Sequence, residues 1–155
     1  MRYWLFKSEA DCYSIQDLSR EKKKTTFWDG VRNYQARNFL RDDVRKGDRV
    51  FFYHSHADPL AIVGLCEVVK EAYADHTAFD PEEKHYDAKS KADDPTWYMV
   101  DIKLLEIFDK PLARDDLKSV PELKEMELLK RGSRLSIQPV SDKEAKTLLK
   151  LAGSK

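Results

Sequence analysis

Four apolar runs rich in aromatic and β-branched residues constrain the fold of this chain most strongly. They lie at residues 2–7 (RYWLFK), 49–54 (RVFFYH), 61–72 and 97–108 (WYMVDIKLLEIF). This composition is typical of strands, and Gly64 inside the third run predicts a bulge or a close backbone approach. We expect a further short strand at residues 134–139.

Helical segments of unequal length are predicted between and after these strands. Ser14 and Asn33 stand where they can cap helices over residues 15–20 and 34–43. Ser141 and Glu144 form a capping box for a last helix that ends near Ala152. Two more helices are expected over residues 112–119 and 121–130. Because these connections give no regular βαβ alternation, the sequence predicts an α+β fold with a barrel or a strongly curved sheet.

Length and charge limit the classes of function. The 155 residues suffice for one core, so we expect a single domain over residues 1–155. We also expect a monomer. Lys and Arg number 28 and so do Asp and Glu, so a nucleic-acid site must be a local patch rather than a global field. This balance argues against a sliding or histone-like protein.

Two cysteines and the hydropathy of the chain indicate its surroundings. Cys12 and Cys66 are too few for a disulfide framework or a zinc set, so we expect two buried, reduced thiols. The chain starts without an apolar leader, and no run approaches the roughly 18 apolar residues of a membrane helix. We therefore expect no membrane contact and a cytoplasmic location, or a nuclear one in a eukaryote.

The densest group of recognition side chains lies at residues 27–38 (FWDGVRNYQARN). A nucleobase needs an aromatic plane to stack on and amide or guanidinium groups that match its edge. Trp28 can supply the plane, and Asn33, Gln35 and Arg37 can read the edge. The alternative is that Trp28 is a core residue and that Arg32 and Arg37 lie on a solvated helix face.

Polar side chains also gather at three strand ends. Tyr53, His54 and Ser55 end one strand, Lys7, Ser8 and Glu9 leave the first strand, and Arg134, Ser136 and Gln138 alternate along the last. Ordinary turn capping and a polar strand edge are the alternatives, and His54 alone is more typical of structural hydrogen bonding than of catalysis.

Motifs for catalysis, metals and cofactors are absent from the sequence. His54 and His56 find no carboxylate-rich or Cys-rich partner motif that would complete a metal set. The aspartates of the polar connection over residues 73–94 match no calcium loop, and there is no P-loop, dinucleotide fingerprint, nucleophile elbow or HExxH. We expect no catalytic residue, no metal and no cofactor.

Seven stretches together resemble the EVE domain family over almost the whole chain. They are residues 3–9 (YWLFKSE), 28–41 (WDGVRNYQARNFLR), 47–55 (GDRVFFYHS), 62–73 (IVGLCEVVKEAY), 79–90 (FDPEEKHYDAKS), 95–102 (PTWYMVDI) and 131–140 (RGSRLSIQPV). The resemblance implies a PUA-like curved sheet or β-barrel flanked by helices, similar to the YTH domain. It also implies a pocket for a modified base in DNA or RNA.

The resemblance to YTH readers extends to single residues. Lys7 and Ser8 match their Lys-Ser pair, and Trp28 falls where the first tryptophan of an aromatic cage is expected. Glu9 stands where the YTH pattern has Asn, which implies that a different base edge is read. Tyr53, Tyr86 and Trp97 are the candidates for a second cage aromatic.

We therefore expect a non-catalytic reader that holds a modified base against Trp28. The predicted base pocket comprises Lys7, Ser8, Trp28, Asn33, Tyr34, Tyr53, His54, Ser55 and Ser136. The predicted phosphate contacts are Arg32, Arg37 and Arg134. One alternative is a small hydrolase or deaminase acting on modified nucleotides, with Glu9 or His54 as acid and base. Another is an interaction module whose aromatic residues all lie in the core.

Overall fold

The sheet of this protein is mixed, has six strands and does not close into a barrel. A computed structural model describes residues 1–154. The strands are β1 (Tyr3–Glu9), β2 (Thr25–Phe27), β3 (Arg49–Ser55), β4 (Ala61–Ala74), β5 (Tyr98–Ala113) and β6 (Ile137–Val140). Their order is β2-β5-β4-β3-β1-β6, and only the β1–β3 pair is parallel. The α+β prediction is confirmed, with an open sheet in place of a closed barrel.

The helices begin at the caps that the sequence indicates. Four are α-helical: α1 (Ile15–Ser19), α2 (Tyr34–Asn38), α3 (Arg114–Leu117) and α4 (Asp142–Leu151). Ser14 and Ser141 form complete capping boxes, and the Asn33 side chain accepts a hydrogen bond from the Ala36 N–H. A π-helical turn, Phe39–Asp43, continues α2. Within residues 1–154, no helix has the length and apolar character needed to cross a membrane.

Of the two helices predicted over residues 112–119 and 121–130, the first is shorter than expected and the second is replaced by 3-10 turns. β5 continues to Ala113 because it pairs with β4 at Ala61 and Ile62, and this pairing buries Leu112. Only the four residues of α3 and two 3-10 turns, Pro121–Leu123 and Glu127–Leu129, follow. Long-range strand pairing therefore outweighs the local helix signal.

Smaller differences concern short elements and one thiol. Residues 25–27 form the short strand β2, which the sequence did not reveal, and β6 begins at Ile137. Cys66 is fully buried as expected, but Cys12 is exposed, so the prediction of two buried thiols is wrong for Cys12. Cys12 follows the end of β1 in a turn, and the core does not reach it.

The buried side chains of β1 belong alternately to two hydrophobic clusters. Trp4 and Phe6 belong to the first cluster with Trp28, which α1 and α2 also join. Leu5 belongs to the second cluster with Tyr53, together with residues of α3 and α4. Because successive side chains of a strand point to opposite faces, neighbours in sequence serve different clusters.

Gly64 lies where β4 is irregular and closely packed. The pairing register of β4 with β5 shifts between Ile62 and Gly64. A Cβ atom at Gly64 would collide with the Ile15 side chain and with the Glu106 carbonyl. The predicted bulge and close approach are both confirmed.

Candidate functional site

A cavity of about 640 Å³ opens beside Trp28. Its volume lies within the range of small-molecule sites, roughly 300 to 1,000 Å³. It is bordered by the end of β1 and the following turn, by β2 with the turn after it, and by the polar connection between β4 and β5. Its lining includes four rings, those of Tyr13, Phe27, Trp28 and His85. The remaining lining residues are Lys7, Ser8, Glu9, Cys12, Glu21, Thr26, Asp29, Gly30, Glu83 and Lys84.

Trp28 belongs to the core and to the cavity wall at once. Its side chain is only 8% exposed. The ring lies 5.5 Å from that of Phe6 at 47° and 5.3 Å from that of Phe52 at 88°, so neither neighbour stacks on it in parallel. The main-chain N–H of Trp28 donates to the Val100 carbonyl at 2.7 Å, which attaches the chain after β2 to β5. These contacts hold the indole in one position at the edge of the cavity.

Asp29 and Gly30 form the turn that follows Trp28. Gly30 has a φ of +79°, and a Cβ atom there would lie 2.5 Å from Nε2 of His85. Glycine is required by both the conformation and the close approach of the imidazole. Burial raises the pKa of the Asp29 carboxyl, and the nearby negative charge of Asp75 raises it further. A half-buried carboxyl group thus lines the cavity next to the indole.

Asp75 fixes this turn to the connection between β4 and β5. It is fully buried and accepts hydrogen bonds from the Gly30 N–H at 2.9 Å and from the Arg32 guanidinium at 3.0 Å. The Thr77 N–H and hydroxyl also donate to it. Burial acts to raise the pKa of Asp75, but hydrogen bonds from Thr77, Gly30 and Arg32 outweigh it and hold the pKa below its usual range.

Arg32 is occupied by this arrangement. Besides its ion pair with Asp75, its guanidinium donates to the His85 carbonyl at 2.6 and 3.1 Å and lies 5.4 Å from the centre of the Trp97 ring. Its side chain is 23% exposed. Arg32 therefore links the segment after Trp28 to the connection between β4 and β5, and both segments line the cavity. The sequence predicted a phosphate contact for this residue and did not reveal these internal partners.

The side chains of Ser8 and Lys7 lie on opposite faces of β1. Ser8 lies on the face of Trp4 and Phe6, and its hydroxyl donates to the Tyr13 carbonyl at 2.5 Å. Lys7 lies on the other face, where burial and then the nearby charge of Arg114 lower its pKa. The side chain of Lys7 is thus directed away from that of Ser8, although both residues line the cavity.

The Tyr13 hydroxyl is unusual among the lining groups. It is buried next to Thr26, yet within residues 1–154 it has no hydrogen-bond partner of acceptable geometry. Burial raises the pKa of this hydroxyl, so it is a neutral donor at physiological pH. A buried hydroxyl without a partner carries a desolvation cost.

Two predicted pocket residues and one predicted phosphate contact form a separate group around Trp97. Asn33 uses its side chain to cap α2. Tyr34, 62% exposed, stacks on Trp97 with ring centres 5.0 Å apart. Arg37 lies 5.2 Å from the centre of the Tyr34 ring and donates to the Thr96 carbonyl at 2.8 Å. None of the three lines the cavity beside Trp28.

The other predicted residues are also absent from the cavity lining. Tyr53 is buried in the second cluster, on the far face of the sheet. Nε2 of His54 accepts the Ile15 N–H at 3.0 Å, and burial lowers the pKa of this histidine. The Ser55 hydroxyl donates to the Ser8 carbonyl. Ser136 accepts the Lys7 N–H through its carbonyl, and Arg134 is exposed.

One of the two groups named for a hydrolase is engaged within the fold. Glu9 borders the cavity, whereas the His54 nitrogen is engaged by α1. The histidine near Glu9 is His56, 3.8 Å away. Glu9, Asp11 and His56 place possible ligand atoms within 4.8 Å of one another, and all three are exposed.

The rings that line the cavity with Trp28 are not those that the sequence suggested for a second cage aromatic. Tyr53, Tyr86 and Trp97 do not line the cavity, whereas Tyr13, Phe27 and His85 do. Phe27 and Asp29 lie inside the run that the sequence singled out, so their position beside Trp28 was an available signal. Tyr13 and His85 reach the site only through folding.

The whole chain is similar to proteins of known structure. The EVE domain family matches residues 2–151. Human thymocyte nuclear protein 1 is 43% identical over 96% of this chain and 73% of the human protein. Its crystal structure in complex with DNA containing 5-methylcytosine has a TM-score of 0.92 at 40% identity, covering 100% of this chain and 99% of that one. A Pseudomonas syringae protein has a TM-score of 0.92 at 44% identity, covering 97% and 99%.

A more distant structure bears on the fold alone. The YTH domain of the Zygosaccharomyces rouxii MRB1 protein, solved with N6-methyladenosine RNA, has a TM-score of 0.56 at 14% identity, covering 97% of this chain and 86% of that one. The expected likeness to the YTH fold is confirmed. On the match over residues 2–151 and the extent of these similarities, the chain belongs to the EVE domain family.

Proposed function

We propose that this protein is a non-catalytic reader that takes one modified cytosine of DNA into the cavity beside Trp28. The observation that carries the proposal is a cavity of about 640 Å³ with a fixed indole and three further rings in its wall. The human relative, whose structure contains DNA with 5-methylcytosine, supplies the class of base.

Stacking and burial account for only part of the binding free energy. A base stacked on an aromatic ring gains roughly 1 to 3 kcal/mol, and extraction from a duplex costs a few kcal/mol. Burial of the 5-methyl group adds about 0.8 kcal/mol, which is roughly a fourfold preference over cytosine. Polar groups must therefore provide further discrimination.

Asp29 is the polar group of the cavity that suits a cytosine. The amino group of cytosine is a donor, and aspartate is a natural acceptor for it. Thymine carries the same methyl group but an acceptor at that position. A hydrogen bond to a charged group contributes about 1.5 to 3 kcal/mol, so Asp29 can favour 5-methylcytosine over thymine by roughly tenfold or more.

Fluorescence anisotropy tests the proposal with single-stranded oligonucleotides that carry one central 5-methylcytosine, cytosine or thymine. The wild-type protein should bind them in that order. Asp29→Asn should lose most of the preference for 5-methylcytosine over thymine, while Asp80→Asn, at an exposed loop position, should retain it. Equal affinity of the wild-type protein for all three oligonucleotides would reject the proposal.

Tyr13→Phe gives a control within the cavity wall. It removes a buried oxygen that lies next to Thr26 without a well-formed hydrogen bond, so the free energy of unfolding should change little. The preference for 5-methylcytosine should stay unchanged, because this oxygen has no surface open to the cavity. Incubation with free modified nucleosides, followed by chromatography, should show no turnover; a new product would favour the hydrolase or deaminase instead.

A further inference from the structure

The turn before β2 presents the only three consecutive basic residues of the sequence. Lys22–Lys24 form a 3-10 turn, and all three side chains are exposed. Within residues 1–154, none of them forms a salt bridge. Lys23 and Lys24 have φ values of 55° and 52°. This left-handed conformation is uncommon for residues other than glycine, and such strain is often found at functional sites.

The turn lies directly at the cavity. Glu21, the residue before the three lysines, lines it, and so do Thr26, Phe27 and Trp28 shortly after them. The lysines therefore occur at the rim, on the segment that leads to the indole. From this position, their ammonium groups can contact parts of a ligand that remain outside the cavity.

Cations are needed at this rim because the cavity itself is poor in them. Four carboxylates line it, Glu9, Glu21, Asp29 and Glu83, against the two lysines Lys7 and Lys84. The side chain of Lys7 lies on the other face of the sheet. The chain as a whole has a formal net charge of zero, so no general attraction for polyanions compensates. Arg32 and Arg37 are already engaged with carboxylate or carbonyl groups of the protein.

We propose that Lys22–Lys24 bind the phosphodiester backbone next to the base that the cavity holds. This inference rests on the proposed function for the position of the base. It divides recognition between two adjacent surfaces: the cavity distinguishes the base, and the lysine turn binds phosphates of any sequence. Such contacts release counterions and make affinity depend on salt.

A pair of triple variants with the same change in net charge tests this division. K22Q/K23N/K24N removes the turn charges and places Asn, which accepts left-handed φ, at the two strained positions. The control K143Q/K146Q/K150Q removes three exposed lysines from α4, whose buried residues Ala145 and Leu148 belong to the second cluster. K22Q alone, at a position that is not left-handed, supports the result if the triple variant does not fold. Thermal unfolding checks each protein.

Dissociation constants are measured against salt for single strands with one central 5-methylcytosine or cytosine. For single strands each phosphate contact contributes about 0.7 to the slope of log K against log salt. The turn variant should therefore lose up to about 2 units of slope, and K22Q up to about 0.7. The control should keep the wild-type slope, and every protein should keep the wild-type preference for 5-methylcytosine.

Each other outcome counts against one proposal in particular. Wild-type slopes in the turn variants, with the base preference intact, would overturn the phosphate role and leave the proposed function standing. An equal loss of slope in the turn variant and the α4 control would also overturn it, since net charge alone would then be the cause. A wild-type protein without base preference, whose slope still depends on the turn, would reject the proposed function and retain the phosphate contact.

Discussion

Replacing Asp75 with alanine should destabilise the protein and disorganise the cavity wall. The carboxylate is fully buried and accepts hydrogen bonds from Gly30, Arg32 and Thr77. Removal of one partner of a buried ion pair costs about 3 to 5 kcal/mol. Arg32 keeps partial exposure and its bonds to the His85 carbonyl, so we expect the lower end, about 3 kcal/mol. For a chain of this length, that lowers Tm by roughly 6 to 12 °C.

Urea and thermal unfolding followed by circular dichroism measure this loss. Asp80→Ala is the control, because Asp80 is exposed and its side chain accepts from the Glu82 N–H only; its cost should stay within about 0.5 kcal/mol. The contribution of Asp75 should be complete above the ordinary carboxyl pKa of about 3.9 and disappear as pH falls through the lower folded pKa. A cost for Asp75→Ala no larger than that of the control would refute the role assigned to this carboxylate.

Three further predictions concern titrating groups. Asp29→Asn should stabilise the protein at neutral pH, although it impairs base discrimination. The raised pKa of Asp29 means that folding disfavours its charged form, and this cost grows as pH rises from about 3.9 through the folded pKa. Urea midpoints of the variant and the wild-type protein should therefore differ at pH 7 and not at pH 4. Because burial lowers the pKa of His54, its contribution to the free energy of unfolding is full above about pH 6.5 and is lost as pH falls below that value. His54→Gln should therefore lose less stability than the wild-type protein between pH 7.5 and 5.5, whereas the control His76→Gln, at an exposed position, should not. An equal loss of stability in the two variants would contradict this. A thiol reagent should modify Cys12 alone in the native protein and both cysteines in denaturant, since Cys66 is fully buried and burial raises its pKa. Rapid modification of Cys66 in the native protein would contradict its position in the core.

Local signals predicted the helix starts and most of the strands. A cap such as Ser14, Asn33 or Ser141 acts within three residues, so the sequence contains the whole interaction. β5 could not be bounded in the same way, because its last residues are held by Ala61 and Ile62 of β4. Three-residue β2 is held by Asp101, Ile102 and Lys103 of β5, which its own composition does not reveal.

The cavity was predictable only where its wall is continuous in sequence. Trp28 and its neighbours were found because they lie in one run of recognition residues. His85 was missed because it approaches Gly30 through a tertiary contact, and Tyr13 because the turn after β1 returns it to Ser8. The strand-end residues were grouped by their position in sequence alone: adjacent side chains point to opposite faces, so those of Tyr53 and His54 lie on different faces of the sheet.

Arg32 shows a further limit of sequence reasoning. An arginine beside an aromatic run suggests a phosphate contact, but its partner Asp75 lies 43 residues further on. Only the fold shows that the guanidinium is satisfied internally. The exposed lysines of the turn before β2, in contrast, remain available for an anion.

The indole N–H resonances of the three tryptophans test the central claim most directly. The N–H groups of Trp4 and Trp97 donate to Asp48 and Asp87, and neither residue lines the cavity, so both serve as internal controls. Titration of the 15N-labelled protein with a 5-methylcytosine oligonucleotide should shift the Trp28 resonance, saturate at one base per protein and leave the other two in place. A shift confined to Trp97, with Trp28 unchanged, would contradict binding of the base in the Trp28 cavity.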